Sequence, residues 1–312
     1  MICPAFSFYM LPSTIQIIAT IFFIPPCIIA AFGNTFCLIV LWQPSQRSKS
    51  NKILTSLALS DYLVGYVSLP WTIWLINFAQ DGDKTTCHII KGYFLTGLWF
   101  ITCSTCTILF IAYERYVSVT KHAQYHDILT DQKINIIIGL IWSITLIFGI
   151  SSNFYPVVRI FGGQLLIIVS VIILCCSYYF VWKAFRQSGK LLSRETNTPN
   201  QVAERKRHEQ EQKLVNKVLI LIAFYLVAFF PSLFFQGLLL VQGSMPSAVS
   251  VEVLQYTNLF VAYAALSNSC FNPFIYVWKD AGFRLACKRL LRRRAVFTPP
   301  RTVNQTNQIS SL

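Results

Sequence analysis

Polar residues cluster along this chain and apolar residues run together. Seven apolar runs cover residues 14–42, 53–79, 92–113, 134–158, 162–182, 218–241 and 253–278. Each reaches the ~20 residues that a helix needs to cross a hydrocarbon core of about 30 Å. Water does not enter that core, so a crossing segment must satisfy its own backbone, and a helix does so. The pattern predicts an all-α membrane protein, a seven-transmembrane helix bundle with helices over about 14–42, 53–79, 88–118, 133–153, 162–186, 208–241 and 252–278. Residues 1–13 form a short N-terminus. Beyond 278, Phe283, Leu285, Ala286, Leu290 and Leu291 alternate with Arg and Lys, which predicts an amphipathic surface helix over 279–292. A disordered cytoplasmic tail, 293–312, follows.

Composition agrees. Only 12% of the 312 residues are charged, against about a quarter in soluble domains. The net charge of +14 invites a nucleic-acid reading, and its distribution opposes one. The first charged residue is Arg47. With the N-terminus outside, every Lys and Arg except Lys84, Lys91 and Arg159 falls on the inner side, as topology rules require. The basic excess therefore faces the inner leaflet of the lipid bilayer and cytoplasmic partners, not nucleic acid. The expected localisation is the plasma membrane, multi-pass, with an extracellular N-terminus. Residues 1–13 lack a charged start and a cleavage site, so the first helix is expected to serve as its own insertion signal.

Asp61 is the one acid deep inside a span, and a carboxylate there costs at least a few kcal/mol, which marks it as functional. Asn34, Ser104, Asn268, Ser269 and Asn272 lie on other spans at depths that allow them to meet it. Their oxygens suit a hard cation; a hydrogen-bond network that packs the helices is the other reading. Pro70, Pro231 and Pro273 sit inside apolar runs, where they break the ladder and kink helices.

Several ordered motifs resemble the rhodopsin-like (class A) G-protein-coupled receptors: Gly33-Asn34, Leu57-Ala58-Leu59-Ser60-Asp61, Glu114-Arg115-Tyr116, Trp142, Phe229-Phe230-Pro231, Asn272-Pro273-Phe274-Ile275-Tyr276 and Phe283. The resemblance covers about residues 34–288. It implies a receptor that converts binding of an extracellular ligand into heterotrimeric G-protein activation by moving the sixth helix. Arg115 would be held at rest by Glu114 and by Glu211 of the sixth helix. Tyr179 and Tyr276 would stabilise the open form, and Phe229 with Pro231 would form the toggle and kink. The Asp61 cluster becomes an allosteric sodium site, with no other cofactor expected. Arrestin and receptor kinases are implied partners of the tail. The terminal Ser310-Ser311-Leu312 also fits a minimal PDZ ligand at Leu312.

The chain departs from the family in places. No Cys lies between Trp142 and Cys175, so the usual bridge from the third helix to the second outer loop cannot form. Cys3 and Cys87 are the cysteines expected on the oxidising side and are the disulfide candidates. Cys287, beside basic residues, is the palmitoylation candidate. The short second outer loop is similar to the melanocortin, cannabinoid, lysolipid and adenosine receptor group. Tyr125-His126-Asp127-Ile128-Leu129-Thr130 resembles a melanocortin receptor segment. Gly97 stands where amine receptors carry an aspartate, and Leu266 where opsins carry the retinal lysine. Trp71, Trp74, Phe94, Leu98 and Leu233, with Gln236 and Asn258, give an apolar, neutral ligand pocket. A neutral or lipid-like ligand, or a small peptide, fits it better than a charged one. No HExxH motif or paired intramembrane carboxylates point to an enzyme, and the single buried acid disfavours a transporter. A receptor-fold scavenger that does not signal is the remaining alternative.

Overall fold

The structure is a computed structural model of the chain. It describes residues 11–46, 48–78, 84–155, 158–192, 223, 227, 229–232, 234, 250–279 and 281–296. Glu211, Leu233, Gln236, Cys3, residues 297–312 with Leu312, and most of the sixth span lie outside the described residues. Every regular element among the described residues is helical.

The first helix, α1, spans Ser13–Leu41. Pro25 and Pro26 interrupt its donor series, and a π turn, Ile29–Gly33, follows at once. The second, α2, spans Lys49–Phe78. It starts four residues before the apolar run because Ser48 caps it, accepting from the Asn51 N–H at 3.1 Å. A second π turn, Val64–Ser68, precedes Pro70. The two π turns face each other across α1 and α2. A Cβ on Gly65 would lie 2.4 Å from the Ala31 nitrogen, so only glycine permits this approach. The Cys27 thiol donates to the Gly65 carbonyl at 3.4 Å across the same seam.

The third helix, α3, runs Lys84–Thr120, 37 residues and about 55 Å long. It stands at the centre, packing on α2, on α4 (Asp131–Phe154) and on α5 (Gly163–Leu192). Trp142 joins three of these helices. Its indole N–H donates to Ser56 Oγ at 3.0 Å, its carbonyl accepts from Trp99 Nε1 at 3.3 Å, and the two indoles meet edge-to-face at 5.9 Å. Of the sixth helix, α6, the structure describes a helical stretch at 229–232. The seventh, α7, is Val251–Lys279, and the surface helix α8 is Ala281–Val296. α5 passes the expected end at 186, and α8 passes 292, taking four residues from the segment read as disordered tail. Arg292, Arg293 and Arg294 have good helix propensity, and that extends α8.

α1 to α5 are each long and apolar enough to cross a membrane. α2 and α3 are the most buried, while α1, α4 and α5 turn large side chains outward, such as Ile21 (61% exposed), Ile147 (65%) and Leu165 (62%). Surface of that kind is stable against lipid and not against water.

Candidate functional site

At the C-terminal end of α3, the end the sequence assigns to the cytoplasm, Glu114 is almost fully buried and Arg115 half-buried. The Arg115 Nε pairs with Glu114 Oε2 at 2.6 Å. Ser50, in the first turn of α2, bridges the two: Arg115 Nη2 donates to Ser50 Oγ, and Ser50 Oγ donates to Glu114 Oε1 at 2.9 Å. The Tyr125 hydroxyl donates to that same oxygen at 2.8 Å from the second inner loop. Burial, then the adjacent Glu114 charge, pushes the Tyr125 pKa up from 10.0 to about 12, so the phenol remains a donor across the physiological range. The loop is pinned by Leu129, which is buried in the main core, and by Lys133, whose ammonium donates to the Asp127 and Ile128 carbonyls at 3.1 and 3.3 Å. Lys49 lies 5.5 Å from the Tyr125 ring centroid, over its face. The guanidinium is thus fixed by a buried carboxylate that itself accepts two hydroxyls. Ser50 and Tyr125 were not identifiable as clasp residues from spacing, since they sit 64 and 11 positions from Glu114.

Tyr116 packs against Phe180 of α5 with centroids 6.2 Å apart. Tyr179 faces outward from α5. It is 53% exposed, stacked beside Phe180 and Trp182, while Tyr178 packs on the main core and on Val181. Adjacent residues point about 100° apart on a helix, so one position decides which tyrosine faces the bundle. Phe229 is buried in the main core with Pro231 half-buried behind it. Tyr276 lies on α7, and its side chain is outside the described residues.

In mid-membrane, Asp61 is fully buried. Its Oδ1 accepts from Ser104 Oγ at 3.0 Å and Ser269 Oγ at 2.8 Å, and its Oδ2 accepts from Asn272 Nδ2. Three helices thereby meet on one carboxylate, as a charge buried from water requires. Asn34 takes a different part. Its Nδ2 donates to the Ala30 carbonyl at 2.8 Å and to the Ser269 carbonyl at 3.0 Å. Pro273, four residues after Ser269, has no N–H to offer that carbonyl; Asn34 supplies the missing donor from α1. Its Oδ1 is buried without a hydrogen-bond partner. Asn268 is buried next to these residues and makes no hydrogen bond to Asp61.

Near the outer ends of α2 and α3, Trp71, Trp74 and Phe94 pack around buried Leu75, Ile90 and Tyr93. Gly97 is buried, yet a Cβ built on it would meet nothing within 4 Å among the described residues, so these leave open space against α3 one turn below Phe94. Leu98 and, on α7, Asn258 are half-buried. Arg159, before α5, lies over the Phe94 ring at 4.6 Å from the centroid; its position in the sequence shows only an outer-loop charge.

Cys87 carries a half-buried thiol one turn into α3, and its disulfide candidate Cys3 lies outside the described residues. Cys287, the palmitoylation candidate, is half-buried on α8 beside the main core, and burial pushes its thiol pKa up.

A bundle of helices apolar enough to cross a membrane, with a buried carboxylate at its centre and a clasped arginine at one end, fits a G-protein-coupled receptor by class. The family described as 7 transmembrane receptor (rhodopsin family) matches residues 33–164 and 150–276, and the chain belongs to it. Similar proteins include the adenosine receptor A3 of Ovis aries, 23% identical over 90% of this chain and 92% of the relative. The histamine H2 receptor of Rattus norvegicus is 25% identical over 84% of this chain and 76% of its own. The melanocortin receptor 5 of Rattus norvegicus is 25% identical over 76% and 72%. As a class A receptor of the plasma membrane, the chain couples an extracellular ligand to a heterotrimeric G protein.

Proposed function

We propose that this receptor rests with its inner gate closed by the Glu114–Arg115–Ser50 clasp, and that agonist binding shifts the bundle to a form in which Arg115 is released and α6 swings outward. The observation that carries this is the Arg115 guanidinium held between Glu114 Oε2 and Ser50 Oγ. Glu211 would add a second carboxylate from α6, and Tyr276 would meet the freed arginine in the open form. Ligand and clasp act on a single two-state equilibrium. The N-terminus is outside, and the basic inner loops and tail face the G protein. Arrestin and receptor kinases would follow activation through the tail, and a PDZ protein would take Leu312.

The Asp61 cluster fits a sodium ion through its donor set: one carboxylate and the hydroxyls of Ser104 and Ser269, whose lone pairs are free while their protons point at Asp61. A bound ion would supply the positive charge that the buried carboxylate lacks, and would favour the packed resting form. The ligand pocket is the aromatic cluster with the space at Gly97, which favours a ligand with a large apolar body. The relatives are named for adenosine, histamine and melanocortin, and that range does not choose among ligands.

The test is Arg115→Ala in cells carrying chimeric G-protein sensors. It should abolish agonist-free and ligand-driven coupling while surface expression persists. Signalling at the level of the unsubstituted receptor sinks the mechanism.

A further inference from the structure

Among the described residues, Arg159 is a charge without a counterpart. It belongs to the π turn Val158–Gly162 that leads into α5, where its backbone N–H donates to the Tyr155 carbonyl at 3.2 Å. Its guanidinium spreads over Phe94, which shares a cluster with Trp71 and Trp74, and the open space at Gly97 begins one turn further along α3.

A cation that loses part of its water at such a wall is stabilised by an anion beside it. Among the described residues Arg159 has none. The two ion pairs there, Lys52–Asp131 and Arg115–Glu114, are both at the cytoplasmic end. Glu252, the described acid of the outer side, stands exposed at the head of α7. The ring face offsets part of the lost hydration. It does not use the planar fork of N–H donors, which matches a carboxylate or a phosphate two bonds at a time. Burial draws the Arg159 pKa below its ordinary value, the direction for a cation desolvated without an anion, though a guanidinium stays charged in water-like pH.

We propose that Arg159 is the anion-recognition residue of the ligand pocket and that the ligand is an amphiphile. Its oxyanion head, a carboxylate or phosphate, pairs with the guanidinium, and its apolar chain lies against the aromatic cluster and in the space at Gly97. The proposal rests on the outer pocket being the ligand site, and it replaces the uncharged ligand that the sequence favours. Without the structure Arg159 reads as a loop charge, because nothing in the spacing places it on Phe94.

The experiment uses the purified full-length chain and four probes that share one acyl length: oleic acid, 1-oleoyl lysophosphatidate, neutral 1-oleoylglycerol and cationic oleylamine. Thermal stability is followed against probe concentration. One or both anions should raise the Tm at concentrations at least tenfold below those of the glycerol ester and the amine. The better anion separates a carboxylate site from a phosphate site. Arg159→Gln should erase the preference, and Arg159→Lys should retain part of it. Equal potency of the neutral ester, an unchanged anion response in Arg159→Gln, or no shift with either anion would each overturn the proposal. Selectivity of the unsubstituted chain decides the matter even if Arg159→Gln does not fold. The Tm needs no G protein, so silent sensors alongside a selective shift would defeat the signalling reading and leave this one standing.

Discussion

Replacing Ser50 with alanine should raise agonist-free signalling. In the closed form Ser50 Oγ donates to Glu114 Oε1 at 2.9 Å and accepts from Arg115 Nη2, so one hydroxyl makes two bonds to charged groups. A hydrogen bond to a charged partner contributes about 1.5–3 kcal/mol. The site is half-buried and water replaces part of each bond, which leaves a net loss of ~1–2 kcal/mol. Released Arg115 does not use Ser50 in the open form, so the loss falls on the closed form alone. The ratio of open to closed should then rise roughly 5- to 30-fold. A receptor with ~1% open at rest would move to about 5–25%. The assay is basal G-protein recruitment by resonance energy transfer, divided by surface receptor. Ser50→Thr keeps the hydroxyl and should stay near the unsubstituted level. Basal activity of Ser50→Ala equal to or below that of Ser50→Thr would refute the clasp.

Three further outcomes follow from the geometry. Asp61→Asn should remove any difference in basal signalling between sodium and choline buffers; a difference that persists would place the ion elsewhere. Gly65→Ala should cost ~1–3 kcal/mol, because its Cβ would have to displace the Ala31 backbone, and would show as a lower Tm of the purified chain; an unchanged Tm would mean that the α1–α2 seam yields freely. Tyr178→Phe should alter G-protein activation more than Tyr179→Phe, since Tyr178 packs on the core and Tyr179 is exposed; the reverse order would refute this assignment and favour Tyr179.

The spans were legible because burial in lipid demands long apolar runs, and little else in a sequence of this length produces them. The Asp61 cluster was legible for the same reason, as polar residues are conspicuous where the solvent is hydrocarbon. What escaped depends on rotation about a helix axis and on approach between helices. One position separates Tyr178 from Tyr179, and both motif and hydropathy fit either. Ser50 and Tyr125 reach Glu114 only because α2 and the second inner loop converge there. Asn34, read as a direct partner of Asp61, serves the backbone gap left by Pro273 instead. The π turns were hidden because a widened turn and a regular one have the same apolar composition.

The π turn Val64–Ser68 lies between Asp61 and Trp71 on a single helix. An inserted residue resets angular phase, so the half of α2 that carries the carboxylate and the half that carries the indoles are indexed separately. Removing one residue from that turn would leave Asp61 pointing at Ser104 and swing Trp71 and Trp74 by about 100° around the axis. The extracellular face of this receptor can therefore be re-registered, and its chemical selectivity redrawn, without touching the machinery beneath it.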